Sequence, residues 1–361
     1  MRKRTDVSKK LLKKKHRKMA EGPFPFLRAT FYRWAEQWPN ICPQLARRDD
    51  DVLLVVGDLH VENFGVWRDS RQRLVWGIND FDEACELTFT SDLVRLAAST
   101  VLAAEAAQID ATTKRVCALL LQGYRVGLRA GGRPILVSSG RHPALSKLTA
   151  HTQEDPTTFW KKKLDPGDNP VVKACDLPGG LEAMFRASFA PRAQLEFRTQ
   201  KAPGGLGSLG RRRYTAVERS NTRLPRDARE AKALVPSALY WCMGRNQMPS
   251  QTGTLLQHAL RVPDPHFQVH DSWLLRRLAP DVAKIEMPEN NEDKRLVWAP
   301  DLLRLMGSET ANIHLGSHSP ERLARSLIQL DQNKDWFPAA TERMAACTRD
   351  DYAQWAKGRM A

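Results

Sequence analysis

Short apolar runs that stop at polar residues mark the first predicted strands of the chain. Residues 52–56 form a β-branched run that stops at Gly57, and residues 74–78 form a second that stops at Asn79 and Asp80. Runs of this length, ended by turn-forming residues, are typical of β-strands. We therefore predict two strands that each lead into a polar loop.

Helical spacing replaces this pattern from residue 92 onward. Asp92 precedes apolar residues that recur at helical intervals, so we predict that it caps the N-terminus of a helix. A second helix is predicted at residues 113–128, ended by Gly131 and Gly132. Further helices are predicted at residues 299–314, at residues 320–331 and from Ala339 onward.

The middle of the chain changes character twice. Residues 132–190 are rich in Pro, Gly, Lys and Asp without sustained periodicity, which indicates loops and short helices. From Leu195 the pattern is strand-like, with a glycine-rich loop at residues 204–210 and an alternating segment up to Val217. Two more strands are predicted, at residues 273–278 and 282–287.

Length and charge add two expectations. A chain of 361 residues exceeds the usual size of one hydrophobic core, so two lobes are expected. The formal net charge of +15 predicts an anionic partner, whether nucleotide phosphate, nucleic acid or an acidic membrane surface. Much of this charge lies in residues 1–18, which we predict to be a solvated tail or a frayed helix, with a weakly bound anionic partner as one role.

The six cysteines are widely scattered, without a CxxC pair or a His/Cys grouping of the zinc type. Free thiols in a reducing compartment are the simplest interpretation. No long uncharged stretch is present, so we expect a soluble, cytoplasmic protein without a transmembrane segment.

The strongest chemical signal lies in the two polar loops. Asp58 is followed five residues later by Asn63, and Asp80 follows the second predicted strand. Phosphoryl transfer from ATP needs one carboxylate to deprotonate the acceptor hydroxyl, and a carboxylate and an amide oxygen to hold magnesium. The alternative is that these are ordinary turn residues at strand ends. Asp82 and Glu83 are either additional ligands or solvated acids.

A second signal is the glycine-rich loop, in which Gly205, Gly207, Ser208 and Gly210 are the candidate nucleotide-binding residues. A dinucleotide-binding turn needs a helix directly afterwards, whereas residues 211–217 alternate like a strand. A strand–loop–strand hairpin over the phosphates is the kinase arrangement, which also needs a lysine on the next strand. Lys232 fits that position, and a surface lysine at a strand edge is the alternative.

The loop residues resemble the HGDLHxxN and IDFD motifs of aminoglycoside phosphotransferase-like enzymes. This resemblance assigns Asp58 as catalytic base and Asn63 and Asp80 as metal ligands, with His60 as the second histidine of the motif; Val56 stands at the first. Segments from Met19 to Gly316 are also similar to the bacterial family of uncharacterised proteins called domain of unknown function 2252. Among them are GDLHVENFG, NDFDEA, GLGSLG and REAKALVPS.

The resemblance implies an α+β, two-lobed, protein-kinase-like fold with a circularly permuted order, because the catalytic loop precedes the glycine-rich loop. His314 would end the helix that normally precedes the catalytic loop, and we expect it to be a core histidine. The expected parts are a basic tail and helical segment at residues 1–50, a helical catalytic part at 51–190, a β-rich nucleotide-binding part at 195–290, and C-terminal helices at 295–361.

These expectations lead to three functional hypotheses. The first is an ATP- and Mg²⁺-dependent phosphotransferase acting on a hydroxyl of a small molecule. The second is a nucleotide-binding pseudoenzyme, because the helix predicted near residues 252–260 lacks the acidic partner that a kinase lysine needs. Glu230, Glu286 or no residue would take that place. The third is a nucleic-acid-binding protein that uses the basic tail.

Overall fold

The computed structural model describes residues 9–137, 141–152, 154–200, 206–207, 209–220, 225, 227–245, 247–282 and 296–360. The helices and strands follow in this order: α1 (Lys9–Met19), α2 (Pro23–Ala29), α3 (Phe31–Ile41), α4 (Pro43–Ala46), β1 (Val52–Val55), β2 (Phe64–Arg68), β3 (Leu74–Ile78), β4 (Cys85–Thr88), α5 (Phe89–Ala106), α6 (Thr113–Ala130), β5 (Ile135–Leu136), α7 (Pro143–Thr152), α8 (Pro156–Lys163), β6 (Val171–Val172), α9 (Leu181–Ala187), β7 (Leu195–Thr199), β8 (Arg213–Glu218), β9 (Asp227–Ala233), α10 (Ala238–Cys242), α11 (Thr252–His258), β10 (Gln268–His270), β11 (Trp273–Arg277), α12 (Pro300–His314), α13 (Pro320–Leu330) and α14 (Trp336–Met360).

Helices and strands thus occur in both halves of the chain, and the prediction of an α+β protein is confirmed. The strand predicted at residues 282–287 lies, apart from its first residue, outside the described residues. Within the described ranges, no helix combines the length and the apolar character needed to cross a bilayer.

Two small sheets lie beside the helices of the first half. β1 pairs antiparallel with β4, with Val52 opposite Thr88, and β3 lies between β2 and β5. Both polar loops leave these sheets, since residues 56–63 follow β1 and residues 79–84 follow β3. Apolar residues of the strands join α5, α6 and α12 in one large hydrophobic core, which gives both loops a fixed base.

Glycines bring α6 and α12 into close contact. A Cβ atom on Gly123 would lie 1.9 Å from the carbonyl oxygen of Arg304, and one on Gly307 would lie 2.0 Å from that of Leu120. Side-chain atoms do not approach a backbone oxygen so closely, so both positions need glycine. The contact holds the end of α12, and with it His314, against the first half of the chain.

A six-stranded antiparallel sheet occupies the second half, in the order β10-β11-β9-β8-β7-β6. Ala231 of β9 packs with Phe185 of α9 and Phe197 of β7 on one face. Because successive residues of a strand point to opposite faces, Glu230 and Lys232 point to the other face. There Lys232 reaches the loop that follows β3.

The N-terminal basic segment differs from its prediction. Residues 9–19 form α1, in which Lys15 and Met19 are buried, so the prediction of a solvated tail or frayed helix is wrong for this part. Met19 packs with Phe26 and Leu206. Charges on most faces of the helix obscure its amphipathic character in the sequence, although Leu12, Lys15, His16 and Met19 recur at helical spacing on one face.

Candidate active site

The loop after β1 is held by its glycine and by an aspartate from α5. Gly57 has φ +79°, and a Cβ atom there would lie 2.3 Å from the carbonyl oxygen of Glu83. The carboxylate of Asp92 accepts hydrogen bonds from the backbone N–H groups of Val56, at 2.8 Å, and of Gly57, at 2.9 Å. These contacts fix the backbone directly before Asp58.

Asp92 is not the N-cap that the sequence predicts. The helix begins earlier, at Phe89, with Thr88 as its N-cap, and the buried Asp92 side chain serves the loop after β1 instead. His314 Nε2 lies 3.2 Å from Asp92 Oδ2, and the other ring nitrogen of His314 lies 2.9 Å from the hydroxyl of Tyr124. His314 is therefore a core histidine that braces the loop after β1 through Asp92. Val56, whose N–H binds the same carboxylate, stands where the resembled motif has its first histidine.

Asp58 lies in an ion pair that the sequence did not predict. Its carboxylate contacts Arg95 of α5, which is completely buried and whose guanidinium lies over the rings of Phe31 and Trp34 at 5.2 and 5.0 Å. Burial raises the pKa of Asp58 to about 7, although the positive charge of Arg95 opposes this change. A carboxyl group with a pKa close to neutrality suits proton transfer at physiological pH.

Asn63 returns to the backbone of Asp58. Its side-chain N–H₂ group donates to the carbonyl oxygen of Asp58 at 2.6 Å, which leaves the amide oxygen as the acceptor of this side chain. His60, the auxiliary candidate, has a contact within the same loop, because its Nδ1 accepts from the backbone N–H of Glu62 at 3.2 Å. Its ring also packs edge-on against Phe24. His60 thus shapes the loop.

The second acidic loop meets Lys232 of β9. The ammonium nitrogen lies 2.5 Å from Oδ1 of Asp82 and 3.8 Å from Oδ1 of Asp80. Burial lowers the pKa of Lys232 to about 8, and the two carboxylates oppose this change. The structure therefore brings together residues from distant parts of the sequence that were proposed to act on one nucleotide.

Arg211 is a second cation at this loop, and sequence reasoning missed it. Its guanidinium lies 3.0 Å from Asp82 Oδ2 and 3.5 Å from Glu83 Oε1. Glu83 also accepts hydrogen bonds from Ser237 and from the backbone N–H of Ala238 at the start of α10. Asp82 is therefore a buried acid and Glu83 a partly buried one, and both connect the loop after β3 to the second half of the chain.

The glycine-rich loop between β7 and β8 approaches the loop after β1. A Cβ atom on Gly207 would lie 3.4 Å from Asp58 Oδ2, so this part of the loop lies over the carboxylate. Gly210 has φ +92°, a conformation that favours glycine. The candidates Gly205 and Ser208 lie outside the described residues.

Glu230 is not the partner of Lys232. It contacts Arg213 at 2.6 Å, Arg276 Nε at 2.8 Å and the side chain of Gln200 at 2.8 Å. Burial alone would raise the pKa of Glu230, but the two guanidinium groups hold it well below its usual range. Asp82 and Asp80 neutralise Lys232 instead, and Glu286 lies outside the described residues.

The donor set suits magnesium held together with phosphates. In the described part of the chain, no group of three or more His, Cys, Asp or Glu residues is arranged as a self-sufficient metal site. Magnesium is usually bound by one or two carboxylates, with water and substrate phosphates as further ligands. Asp80 and the amide oxygen of Asn63 fit this role. Asp82 fits it less well, because Lys232 and Arg211 already neutralise it.

A cavity of about 340 Å³ lies next to Asp58, on the side of α1, α3 and α10. Small-molecule sites in proteins measure about 300–1,000 Å³, so this cavity has the size of a site for a small compound. Gly207 and Arg211 also line it, which joins it to the glycine-rich loop.

Comparison with known families supports the resemblance to domain of unknown function 2252 for part of the chain. Residues 7–160 match the model of a family described as "Uncharacterized protein conserved in bacteria (DUF2252)". The matched segment includes both acidic loops and ends before the glycine-rich loop and Lys232. No curated protein and no solved structure matches this chain.

Proposed function

We propose that this protein is a kinase-like phosphotransferase that uses ATP and Mg²⁺ to phosphorylate a hydroxyl group of a small molecule. One observation carries the proposal: Lys232 contacts the acidic loop at Asp80 and Asp82, while Gly207 lies over Asp58. The cation thus contacts the acidic loop after β3 and the glycine-rich loop contacts the one after β1, and these are the groups that phosphoryl transfer requires.

The fold proposed for this activity is a circularly permuted, two-lobed protein-kinase-like fold. Its support is the order β7, glycine-rich loop, β8 and then β9 with the lysine, in one antiparallel sheet. The helix that ends at His314 packs on the core of the catalytic loops although it follows them in sequence. Surface connections tolerate such a rearrangement because the core contacts stay the same.

In this mechanism Asp58 accepts the proton of the acceptor hydroxyl, whose oxygen forms the new bond to the γ-phosphorus of ATP. The bond from that phosphorus to the bridging oxygen breaks, and ADP leaves with the electron pair. Lys232 neutralises phosphate charge, and Gly205, Gly207, Ser208 and Gly210 cover the nucleotide. Asn63 and Asp80 would hold Mg²⁺, which supplies charge neutralisation when it is bound.

A nucleotide-binding pseudoenzyme is the second candidate, and the Asp58–Arg95 ion pair favours it. The guanidinium of Arg95 opposes the rise in the pKa of Asp58 that burial causes, and it occupies one oxygen of the carboxylate. This candidate predicts binding of Mg²⁺ and ATP without turnover. The third hypothesis, nucleic-acid binding, relied on a basic tail that is free to bind. Residues 9–19 of that tail form α1, which packs against the body of the protein, so no observation on the described residues favours it.

The direct test is release or transfer of the γ-phosphate of radiolabelled ATP, with Mg²⁺, by the wild type and by Asp58→Asn. We expect turnover in the wild type and a loss of at least about 100-fold in Asp58→Asn, because a positioned general base contributes about 10²–10⁴-fold. Asp335→Asn is the matched control, since this side chain is largely exposed. Equal rates for Asp58→Asn and the wild type would remove Asp58 from the mechanism.

A further inference from the structure

The cavity next to Asp58 has a largely apolar wall. Met19 of α1 and Trp355 of α14 line it, together with Tyr32 and Trp241, whose rings meet edge-to-face at 6.4 Å. Aromatic side chains of this kind bury the flat or apolar body of a ligand. The wall therefore suits a compact apolar compound better than a sugar with many hydroxyl groups.

Lys15 differs from the other charged residues that line this cavity. It lines the cavity, yet its residue is only 5% exposed. Among the described residues, its ammonium group forms no hydrogen bond and has no carboxylate within ion-pair distance. The neighbouring arginines differ, because Arg28 pairs with Glu62 and Arg211 pairs with Asp82.

A buried charge without a close partner is unfavourable, so a bound anion would compensate it. Burial lowers the pKa of Lys15 to about 8, while Asp58 and Glu83 attract its charge from farther away. The group therefore remains mostly a cation near pH 7. Asp58, Glu83, Arg28 and Arg211 also line the cavity, and both arginines already pair with carboxylates. A ligand with one negative charge therefore fits it better than a doubly charged phosphate ester.

We propose that this cavity binds a small hydroxy acid, with its carboxylate on Lys15, its apolar body on the aromatic wall and its hydroxyl towards Asp58. This ligand is the phosphate acceptor if the phosphotransfer proposed above is correct. Its binding does not depend on that activity. Lys15 is then the residue that selects an anionic acceptor.

The test uses three pairs of probes and no nucleotide. The acids are 4-hydroxybenzoate, 4-hydroxyphenylacetate and 3-(4-hydroxyphenyl)propanoate, and each is compared with its primary amide by titration calorimetry. For the wild type we expect at least one acid to bind about tenfold or more tightly than its amide, as a charge-assisted contact provides. Lys15→Met should abolish this preference, and Lys15→Arg should retain it.

Two outcomes would overturn the inference. One is that no acid binds more tightly than its amide, and the other is that Lys15→Met keeps the preference. Lys114→Met, which removes an exposed lysine, controls for a general loss of charge. Thermal unfolding of each variant shows that it is folded.

Parallel titrations with MgATP separate this inference from the proposed function. We expect Lys15→Met to bind MgATP within about twofold of the wild type. A tenfold loss would assign Lys15 to the nucleotide site and overturn the hydroxy-acid inference. Selective acid binding without any ATP-dependent transfer would support the cavity's role and contradict the phosphotransferase proposal. Turnover that depends on Asp58, without selectivity for acids, would support the phosphotransferase proposal and contradict the hydroxy-acid inference.

Discussion

The ammonium nitrogen of Lys232 lies 2.5 Å from Oδ1 of Asp82, and this contact joins β9 to the loop after β3. Both side chains are buried, so each charge depends on the other for compensation. Under the proposed function, phosphate oxygens compete with Asp82 and Asp80 for the same ammonium group. Under that proposal, the contact compensates the charge of Lys232 inside the protein until a nucleotide binds.

The first prediction concerns the contribution of Lys232 to nucleotide binding. A hydrogen bond to a charged group contributes about 1.5–3 kcal/mol, so Lys232→Met should raise the Kd for MgATP roughly 10- to 100-fold. Titration calorimetry measures this directly. Lys114→Met is the matched control because its side chain is 77% exposed. An unchanged Kd in Lys232→Met would contradict the assignment of this residue.

The second prediction concerns pH. Burial raises the pKa of Asp58 to about 7 and lowers that of Lys232 to about 8. A general base must be unprotonated, so kcat/KM for ATP turnover should rise with pH through about 7. A phosphate-binding lysine must be protonated, so kcat/KM should fall above about 8. A rate that is flat between pH 6 and pH 9 would show that neither group controls turnover.

The sequence predicted the local features of this site better than its contacts. β1, β3 and α6 were predicted because their signals lie within a few consecutive residues, and Lys232 was proposed because it lies on the next predicted strand after the glycine-rich loop. Arg95 and Arg211 were missed, because their partners Asp58 and Asp82 are adjacent only in the folded chain.

Asp92 shows why a correct local signal can lead to a wrong partner. An aspartate at the start of a helical pattern usually caps that helix. Here the helix begins three residues earlier, and the carboxylate binds backbone N–H groups at Val56 and Gly57. Only the pairing of β1 with β4 brings these groups to α5, and no feature near residue 92 reveals this pairing.

The third prediction tests the brace formed by Asp92. Asp92→Asn replaces one acceptor oxygen by an N–H₂ group, so one buried backbone N–H at Val56 or Gly57 loses its partner. The free energy of unfolding should fall by about 1–3 kcal/mol. Because the next residue is Asp58, kcat should fall while the Kd for MgATP stays within about twofold. A parallel loss of MgATP affinity, or wild-type kcat, would argue against a positioning role.

The fourth prediction compares two glycines with the same backbone angle. Gly57 and Gly180 both have φ +79°, but only at Gly57 would a Cβ atom collide, 2.3 Å from the carbonyl oxygen of Glu83. Gly180→Ala should therefore cost about 1–2 kcal/mol, the ordinary penalty of this conformation. Gly57→Ala should cost clearly more, about 3 kcal/mol or above, and should lower turnover. Urea unfolding of both variants measures the difference, and equal costs would mean that Glu83 moves freely.

The last prediction follows from the buried ammonium of Lys15. Its pKa falls from 10.5 to about 8, and at about 1.4 kcal/mol per pKa unit this corresponds to at most about 3.5 kcal/mol of unfavourable free energy. Without a ligand, Lys15→Met should therefore be more stable than the wild type at pH 7, by about 1–3 kcal/mol. A residue that lowers the stability of the ligand-free protein and strengthens ligand binding is typical of a binding site.

The pH dependence distinguishes this cause from improved packing. Between pH 8 and pH 10.5 the folded protein has lost the proton of Lys15 while the unfolded chain still holds it. The contribution of Lys15 to the free energy of unfolding of the wild type therefore rises with pH in this range. The advantage of Lys15→Met should therefore shrink from pH 7 to pH 10, as urea unfolding at both values would show. Lys114→Met should show no such change, because Lys114 is exposed. A constant advantage would assign the effect to packing and leave the ammonium of Lys15 without the proposed energetic cost.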